Sequence, residues 1–154
     1  MQVEAKLAEM GLRLPGPSTP AGSYIGAVQV GNLLFVSGHG PTREGAALRG
    51  KVGRDLTIEQ GQEAARLTML SCLGTVQRSL GDLDRVERVV KLLGFINAPE
   101  GFTETPRVLN GASDLLIELY GENGRHARSA IGVAALPVNI PVEIEMIVQV
   151  KESA

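Results

Sequence analysis

One long helix is the most strongly determined element of this 154-residue sequence. Thr57 and Gln60 form a capping box, in which each side chain can accept a hydrogen bond from the backbone N–H of the other residue. Apolar residues then follow at helical spacing as far as Leu80, and Gly81 is of a type that ends helices. The sequence therefore predicts a helix from Thr57 to Leu80, and its apolar stripe requires a second layer to pack against.

A strand and a second helix are predicted after this long helix. Residues Val86 to Ile96 end in a nearly continuous apolar run, which is typical of an interior strand covered on both faces. The second helix is predicted from about Glu104 to Tyr120, with Thr103 as its N-cap and Gly121 as its stop.

The N-terminal part of the chain predicts a short helix, an extended connection and a hairpin. Residues 3–10 have helical spacing and residues 13–22 hold three of the eight prolines. We therefore expect residues 1–22 to form an N-terminal helix and a Pro-rich connection. Two short strands are predicted on either side of the turn Gly31-Asn32, and residues 49–54 can add a third.

Two further strands are predicted near the C-terminus, joined by the short connection 136–139. Strand side chains alternate between faces, so Arg128 shares a face with small residues such as Ala130. In the last strand one face is apolar throughout from Val142 to Val150, and the other face carries Glu143, Glu145 and Ile147.

Together these elements predict a single α+β domain over residues 23–151, with one mixed sheet of about six strands and two helices on one face. The opposite face is expected to lack cover from its own chain and to carry Arg128, Ala130, Glu143 and Glu145. Other subunits are expected to bury that face. Because the last two strands should run antiparallel, Arg128 and Glu143 are expected about 20 Å apart in one chain. A site that used both residues would be built by neighbouring subunits.

Composition narrows the class of protein. Fifteen basic and seventeen acidic residues give a formal charge of −2, without a basic cluster of the kind that binds nucleic acid. The single cysteine, Cys72, cannot form an internal disulfide, which fits a reducing compartment. The sequence has neither an apolar signal region nor an apolar run of membrane-spanning length, so we expect a cytoplasmic protein without a membrane partner.

Arg128 is the strongest candidate for a binding residue. A guanidinium above the small residues Ala130 and Gly132 leaves open space, and its planar fork suits a carboxylate. The alternative is that Arg128 and the glutamates form solvated surface or weak ion pairs. That alternative does not explain the small residues, because an exposed strand would normally carry Thr, Lys or Gln there. For His39 and His126 a hydrogen-bonded or exposed role is favoured over metal binding.

Several short motifs together resemble the Rid (YjgF-like) reactive-intermediate deaminases, which carry the older label endoribonuclease L-PSP. The resemblance covers about residues 23–150 and rests on Tyr24, Gly31-Asn32, Ser37-Gly38, Arg128-Ser129, Leu136-Pro137 and Val142-Glu143-Ile144-Glu145. The added N-terminal helix and the sequence of residues 110–113 are typical of a divergent, longer branch. The resemblance implies a chorismate-mutase-like fold that assembles as a homotrimer with ligand clefts between subunits.

The resemblance also implies roles for particular residues. Arg128 would bind the carboxylate of a 2-imino or 2-enamino acid, and Glu143 would position or activate the water that releases ammonia and a 2-keto acid. Further substrate contacts are implied at Tyr24, Gly38, Asn110 and Ala130. Neither a cofactor nor a metal is required, because an imine is already electrophilic. Characterised deaminases commonly carry cysteine at the position of Ala130. The sequence therefore does not determine which side chain the substrate has.

Two other functions compete with imine hydrolysis. A non-catalytic protein that binds a small carboxylate would share Arg128 and would differ in its use of Glu143. An endoribonuclease or translation inhibitor would need a basic groove, which the acidic composition does not favour.

Overall fold

A computed structural model describes residues 2–42 and 48–152; Met1, residues 43–47 and residues 153–154 lie outside this description. The helices and strands are α1 Gln2–Glu9, β1 Ala27–Val30, β2 Leu33–His39, α2 Ile58–Leu80, β3 Val86–Asn97, α3 Thr105–Tyr120, β4 Ala127–Val133 and β5 Val142–Val150. The predicted α+β fold, with its single mixed sheet, hairpin, long helix, interior strand and second helix, is confirmed.

The described strands form one mixed sheet in the order β1-β2-β5-β3-β4. β3 pairs with β4 in parallel, whereas the other neighbouring pairs are antiparallel. The sheet has five strands rather than about six, because residues 49–54 form a turn in which Val52 makes an isolated bridge to Leu56. β4 is an edge strand, so one side of its backbone faces away from the sheet.

Helices α2 and α3 cover one face of the sheet and cross each other at Gly111. A Cβ atom at this position would overlap the backbone carbonyl of Gln62 on α2, so only glycine allows this close approach. Gly94 on β3 plays a similar part, since a Cβ there would lie 2.6 Å from both methyl carbons of Leu109. The buried core is therefore formed between the two helices and the alternate residues Val142, Ile144, Met146, Val148 and Val150 of β5.

The predicted helix ends are confirmed with one exception. Gln60 donates its N–H to Thr57 Oγ1 at 3.1 Å, and Thr57 donates in return to Gln60 Oε1 at 2.9 Å, as expected for a capping box. Gly81 ends α2 in the left-handed conformation, with φ of 86°. The prediction of Thr103 as the N-cap of α3 was wrong, because the helix begins one residue later, with Pro in its first turn and without a side-chain cap.

The N-terminal helix α1 is docked on the domain. Its apolar residues Val3 and Leu7 are buried, and Lys6 donates to the carbonyl of Leu119 at the end of α3. Leu83 donates its N–H to the Glu4 carboxylate at 2.9 Å. Within the described residues, the helices are too short or too polar to cross a membrane.

The alternation of residues along β4 is as predicted, but the covered face is the other one. Leu92 of β3 lies between Arg128 and the buried Met146, so the side chains of all three point toward the helices. Gly94 places Ala130 on the same covered side. The prediction that Arg128 and Ala130 share the open face with the glutamates was therefore wrong. Alternation fixes which residues share a face, but it does not determine which face the helices cover.

Arg128 and Glu143 also lie closer together than predicted. β4 and β5 run antiparallel, as expected, but β3 lies between them. Arg128 is level with Leu92 and Glu143 is level with Phe95, three positions further along β3. Strand dimensions then give about 10 Å along the sheet and about 10 Å across it, or a Cα separation of about 14 Å. Their side chains point to opposite faces.

Candidate functional site

The guanidinium of Arg128 is fixed against helix α3. Its Nη1 donates to Ser113 Oγ at 2.9 Å, and its Nη2 donates to the backbone carbonyl of Pro106 at 3.2 Å. An arginine has five N–H donors, so these two bonds leave one donor on Nη1, one on Nη2 and one on Nε. The half-buried fork can therefore still grip a carboxylate through two parallel hydrogen bonds.

Asn110 lies on the same stripe of α3 as the two residues that bind this guanidinium. Residues 106, 110 and 113 are spaced by four and three positions, so they follow one another along one helix face. Asn110 is half-buried and lies between the two residues that bind Arg128. The structure thus brings Asn110 and Arg128 together.

The backbone of β4 presents amide groups at the sheet edge. Val133 turns its carbonyl toward β3, where Ala98 donates to it at 3.3 Å. Because successive residues of a strand turn their backbone groups to opposite sides, Ala130 and Gly132 turn theirs outward. The Ala130 carbonyl accepts a bond from the Thr105 hydroxyl at 2.9 Å. An outward N–H at Ala130 is thus placed on the same strand edge as Arg128.

Glu143 lies on the open face of the sheet, against Gly38. A Cβ atom at Gly38 would lie 3.1 Å from Cδ of Glu143 and 3.2 Å from its Oε2, so glycine leaves the space that the carboxyl group occupies. Burial, followed by the negative charge of Glu145, raises the pKa of Glu143 above its ordinary value. Within residues 2–42 and 48–152, neither a hydrogen bond nor an ion pair reaches the Glu143 carboxylate.

Tyr24 lies in the segment that precedes β1, at the same end of the sheet as Gly38. Ser37, the neighbour of Gly38, donates its N–H to the carbonyl of Gly26 at 2.8 Å and its hydroxyl to the carbonyl of Ile25. These bonds tie the segment to β2. The Tyr24 hydroxyl accepts a bond from the N–H of Ala21 at 3.3 Å, and the residue is 49% exposed.

The predicted residues therefore form two groups rather than one site. The guanidinium half-site consists of Arg128, Asn110 and Ala130, at the β4 edge and on the helix side. The carboxylate half-site consists of Glu143, Gly38 and Tyr24, on or beside the open face. In a single chain the sheet itself separates these two half-sites.

The open face beside Glu143 is largely apolar. Val28 and Ile131 are 50% and 45% exposed, and Phe35 is 42% exposed. A depression of about 280 Å³ lies between Phe35, Leu93 and Ile147, with Lys91 and Glu145 at its border. An apolar sheet face of this kind is an interaction surface.

Sequence reasoning missed Ser113 and Thr105, whose hydroxyl groups hold Arg128 and the β4 edge. The available signal for Ser113 was its position one turn after Asn110. Sequence reasoning also did not predict a role for His126. The Nε2 atom of His126 lies 2.9 Å from Ser113 Oγ, and its Nδ1 lies 2.6 Å from the carbonyl oxygen of Gly124.

His39 and Cys72 both make hydrogen bonds within the domain. His39 is hydrogen-bonded through both ring nitrogens, to the Ser37 carbonyl and to Thr75 Oγ1, as predicted for a histidine with satisfied bonds. Cys72 is buried, and its burial raises the pKa of the thiol.

Three carboxylates could together approach a cation. Oxygen atoms of Glu4, Asp82 and Asp84 lie within 4.8 Å of one another. These groups already accept backbone N–H bonds, among them those of Leu83 and Val3, and they join α1 to the domain. They lie apart from both half-sites, on the α1 side of the domain.

The single mixed sheet with its helices on one face defines a chorismate-mutase-like α+β protein. The family described as "YjgF/chorismate_mutase-like, putative endoribonuclease" matches residues 4–149, and the chain belongs to this family. Protein TCP17 of Trypanosoma cruzi is 45% identical over 150 residues, covering 96% of this chain and 94% of that protein.

Solved structures of similar proteins agree with this assignment. Atu1372 of Agrobacterium tumefaciens, a protein "with unknown function", is 42% identical with a TM-score of 0.90, covering 98% of this chain and 93% of that one. A "putative endoribonuclease" of Shewanella oneidensis is 32% identical with a TM-score of 0.92, covering 97% and 100%. RidA of a Psychrobacter species is 27% identical with a TM-score of 0.59, covering 86% and 92%.

Proposed function

We propose that this protein hydrolyses reactive 2-imino and 2-enamino acids to 2-keto acids and ammonia, at clefts between the subunits of a homotrimer. Arg128 binds the substrate carboxylate, with Asn110 and the Ala130 N–H beside it. Glu143 of a neighbouring subunit positions and activates water. The resemblance of the sequence motifs to reactive-intermediate deaminases supports this choice of substrate class.

The observation that carries the proposal is the environment of Glu143. A half-buried carboxyl group usually accepts hydrogen bonds or pairs with a cation, yet the described chain offers Glu143 neither. Its raised pKa brings it closer to neutrality, where a carboxyl group both accepts and returns protons efficiently. The space that Gly38 leaves is occupied by the Glu143 carboxyl group, which glycine thus allows to lie against β2.

The chemistry requires one water molecule and leaves the enzyme unchanged. The imine enters protonated on nitrogen, and Glu143 accepts a proton from water as the oxygen bonds to the imine carbon, which gives a neutral tetrahedral amino alcohol. Return of that proton to nitrogen makes ammonia the leaving group. The C–N bond breaks as the hydroxyl group passes its proton to Glu143 and becomes the carbonyl, and the released ammonia carries this proton away as ammonium. Orientation of substrate and water supplies much of the acceleration, since the imine carbon is already electrophilic. The mechanism uses side chains and water alone.

The separation of the half-sites supports a site shared between subunits. Arg128 and Glu143 point to opposite faces of one sheet, so both can contact one substrate only if different subunits supply them. Burial of Val28, Phe35 and Ile131 against other subunits removes apolar area from water, at about 25 cal/mol per Å². A closed homotrimer repeats such a contact between each pair of subunits and generates three equivalent clefts.

The test generates 2-aminoacrylate in situ from serine with a dehydratase and follows the release of keto acid and ammonia. The wild-type protein should accelerate release, and the Arg128→Ala variant should not. If the wild type gives no acceleration but still binds a 2-keto acid in calorimetry, imine hydrolysis is wrong and the non-catalytic carboxylate-binding function takes its place.

A further inference from the structure

A chain of hydrogen bonds links the backbone of the turn before β4 to the guanidinium of Arg128. His126 Nδ1 lies 2.6 Å from the carbonyl oxygen of Gly124, and its Nε2 lies 2.9 Å from Ser113 Oγ. Ser113 Oγ in turn accepts a bond from Arg128 Nη1 at 2.9 Å. Gly124 and Ser113 are buried and His126 is half-buried, so little water competes for these bonds.

The direction of each bond follows from the chemistry of the groups. A carbonyl only accepts, so His126 must carry a proton on Nδ1. In the neutral ring Nε2 is then an acceptor, and it receives the Ser113 hydroxyl proton. The Ser113 oxygen therefore keeps its lone pairs for Arg128, which can only donate. The neutral ring thus satisfies every member of this series of hydrogen bonds, and the two lone pairs of Ser113 Oγ can also accept from both Arg128 and a protonated Nε2.

Gly124, whose carbonyl begins this series of hydrogen bonds, is held in place by close packing. A Cβ atom there would overlap the backbone carbonyl of Leu116 on α3, so glycine allows the turn to pack directly on the helix. The turn carrying Gly124 and the helix carrying Ser113 therefore form one rigid frame around the His126 ring.

We propose that His126 and Ser113 are positioning residues, which hold the Arg128 guanidinium in the orientation that receives a ligand carboxylate. The inference rests on the carboxylate-binding part of the proposed function and does not depend on catalysis. His126 touches neither the ligand nor the reacting atoms; it acts through Ser113. The ligand class this arrangement favours is a small carboxylate, because a fixed fork pairs with the two oxygens of one carboxyl group.

The charges around His126 couple its protonation to ligand binding. Its pKa is lowered mainly by burial, the Gly124 bond opposes this, and the charge of Arg128 lowers it further. A bound carboxylate neutralises Arg128, so it raises the pKa of His126. Carboxylate affinity should therefore increase as the pH falls through the titration range of His126.

Other charged groups lie on the elements around His126. Glu122 and Arg125 in the preceding turn pair with each other at 3.1 Å, and Arg88 of β3 donates to the Arg125 carbonyl. Asp114 follows Ser113 on α3 and is exposed. Among all of these charged groups, Arg128 is the one whose charge shifts the pKa of His126.

The test is a double-mutant cycle read by calorimetry with 2-oxobutanoate, a stable keto acid. Ser113→Ala and His126→Leu should each weaken binding about tenfold, and the double variant should be no weaker than either single variant, because both remove the same chain. His126→Gln, which offers an acceptor oxygen but cannot be protonated, should restore affinity at neutral pH. Ser71→Ala on α2, where the hydroxyl bonds only within its own helix, is the matched control and should bind like the wild type.

The pH dependence of carboxylate affinity is a measurement that a purely structural role of His126 would not change. Measured in a Glu143→Gln background, which removes the shifted carboxyl group of the carboxylate half-site, affinity should increase toward acid pH in the protein with His126 and stay level in His126→Gln. Without ligand, nitrogen NMR should find His126 neutral with its proton on Nδ1, and Arg128→Gln should raise its pKa.

The outcomes separate this inference from the proposed function. Unchanged affinity in His126→Leu and Ser113→Ala, or additive losses in the double variant, would overturn the inference alone. Binding by the wild type without imine hydrolysis would overturn the catalytic function and leave the inference standing. If the wild type binds no 2-keto acid, the carboxylate clamp fails, and the inference fails with it.

Discussion

Gly38 and the carboxyl group of Glu143 are in direct contact across neighbouring strands, so that a Cβ atom at Gly38 would lie 3.1 Å from Glu143 Cδ. β2 and β5 shift register between Val36 and His39, at the position of this contact. The irregularity and the glycine together make room for a half-buried carboxylate on an otherwise paired sheet.

Substitution of Gly38 should therefore affect catalysis more than folding. In Gly38→Ala the added methyl group displaces the end of a flexible glutamate side chain, and we expect kcat for imine hydrolysis to fall about tenfold, the cost of a misplaced catalytic group. The thermal midpoint should change by only a few degrees. Gly16→Ala is the control, because a Cβ there has no neighbour within 4 Å. Wild-type kcat in Gly38→Ala would contradict the assigned role of Glu143.

Removal of the Glu143 charge should separate binding from turnover. Glu143→Gln keeps the size of the side chain, so 2-keto acid affinity should stay within about threefold of wild type. Without a proton acceptor kcat should fall by about 10² to 10⁴. Glu145→Gln, two residues along the same face, is the matched control and should retain turnover. A fully active Glu143→Gln would show that this carboxyl group is not the base.

Arg128→Ala should abolish carboxylate binding and leave assembly intact. The side chain lies at the sheet edge against α3, away from the apolar open face that we expect to be buried between subunits. Calorimetry should detect no 2-oxobutanoate binding, while light scattering should give the same mass as the wild type. Arg107→Ala, which removes an exposed arginine paired with Glu104 on the same helix, should bind normally. Normal affinity in Arg128→Ala would place the clamp elsewhere.

The acid limb of the pH–rate profile should move when Glu145 is neutralised. The pKa of Glu143 is raised first by burial and then by the charge of Glu145, so turnover should appear as the pH rises through this raised value. Glu145→Gln removes one of these causes, and the acid limb should move to lower pH. An unchanged limb would mean that another group controls it.

The same pKa shift has a consequence for stability. A carboxyl group whose pKa is raised in the folded state binds protons more readily there than in the unfolded chain. Its contribution to the free energy of unfolding is therefore complete below its pKa in the unfolded chain and is lost as the pH rises through its pKa in the folded state. Glu143→Gln should thus be more stable than wild type at neutral pH, and the difference should vanish in acid. Denaturant titrations at several pH values measure this, and a difference that grows in acid would contradict it.

Gly111→Ala tests the contact between the helices. The added methyl group would overlap the Gln62 carbonyl, so α2 and α3 must separate, and we expect a loss of about 3 kcal/mol in the free energy of unfolding. Ala112, the next residue, is already accommodated in the core, which shows that a methyl group is tolerated one position further on. Unchanged stability in a urea titration would mean that the helices adjust without cost.

Local signals were sufficient to predict most elements of the fold. The capping box of Thr57 and the glycine stop at Gly81 act within one or two turns, so the sequence alone contains both partners of each interaction. Alternation likewise assigned the buried residues of β5 correctly. The start of α3 was misjudged at Thr103, since the proline one position inside the helix had more influence than a hydroxyl cap.

The sequence by itself thus determined most of the elements and the residues that share a face. Only the tertiary structure decided that β3 separates β4 from β5, that Arg128 faces helix α3 and that Ser113 and His126 support it. The physical reason is the range of the interactions, because capping, turn formation and alternation depend on neighbours in the chain. Strand order and the choice of covered face depend on how distant segments pack together. That packing also sets the distance between the two half-sites.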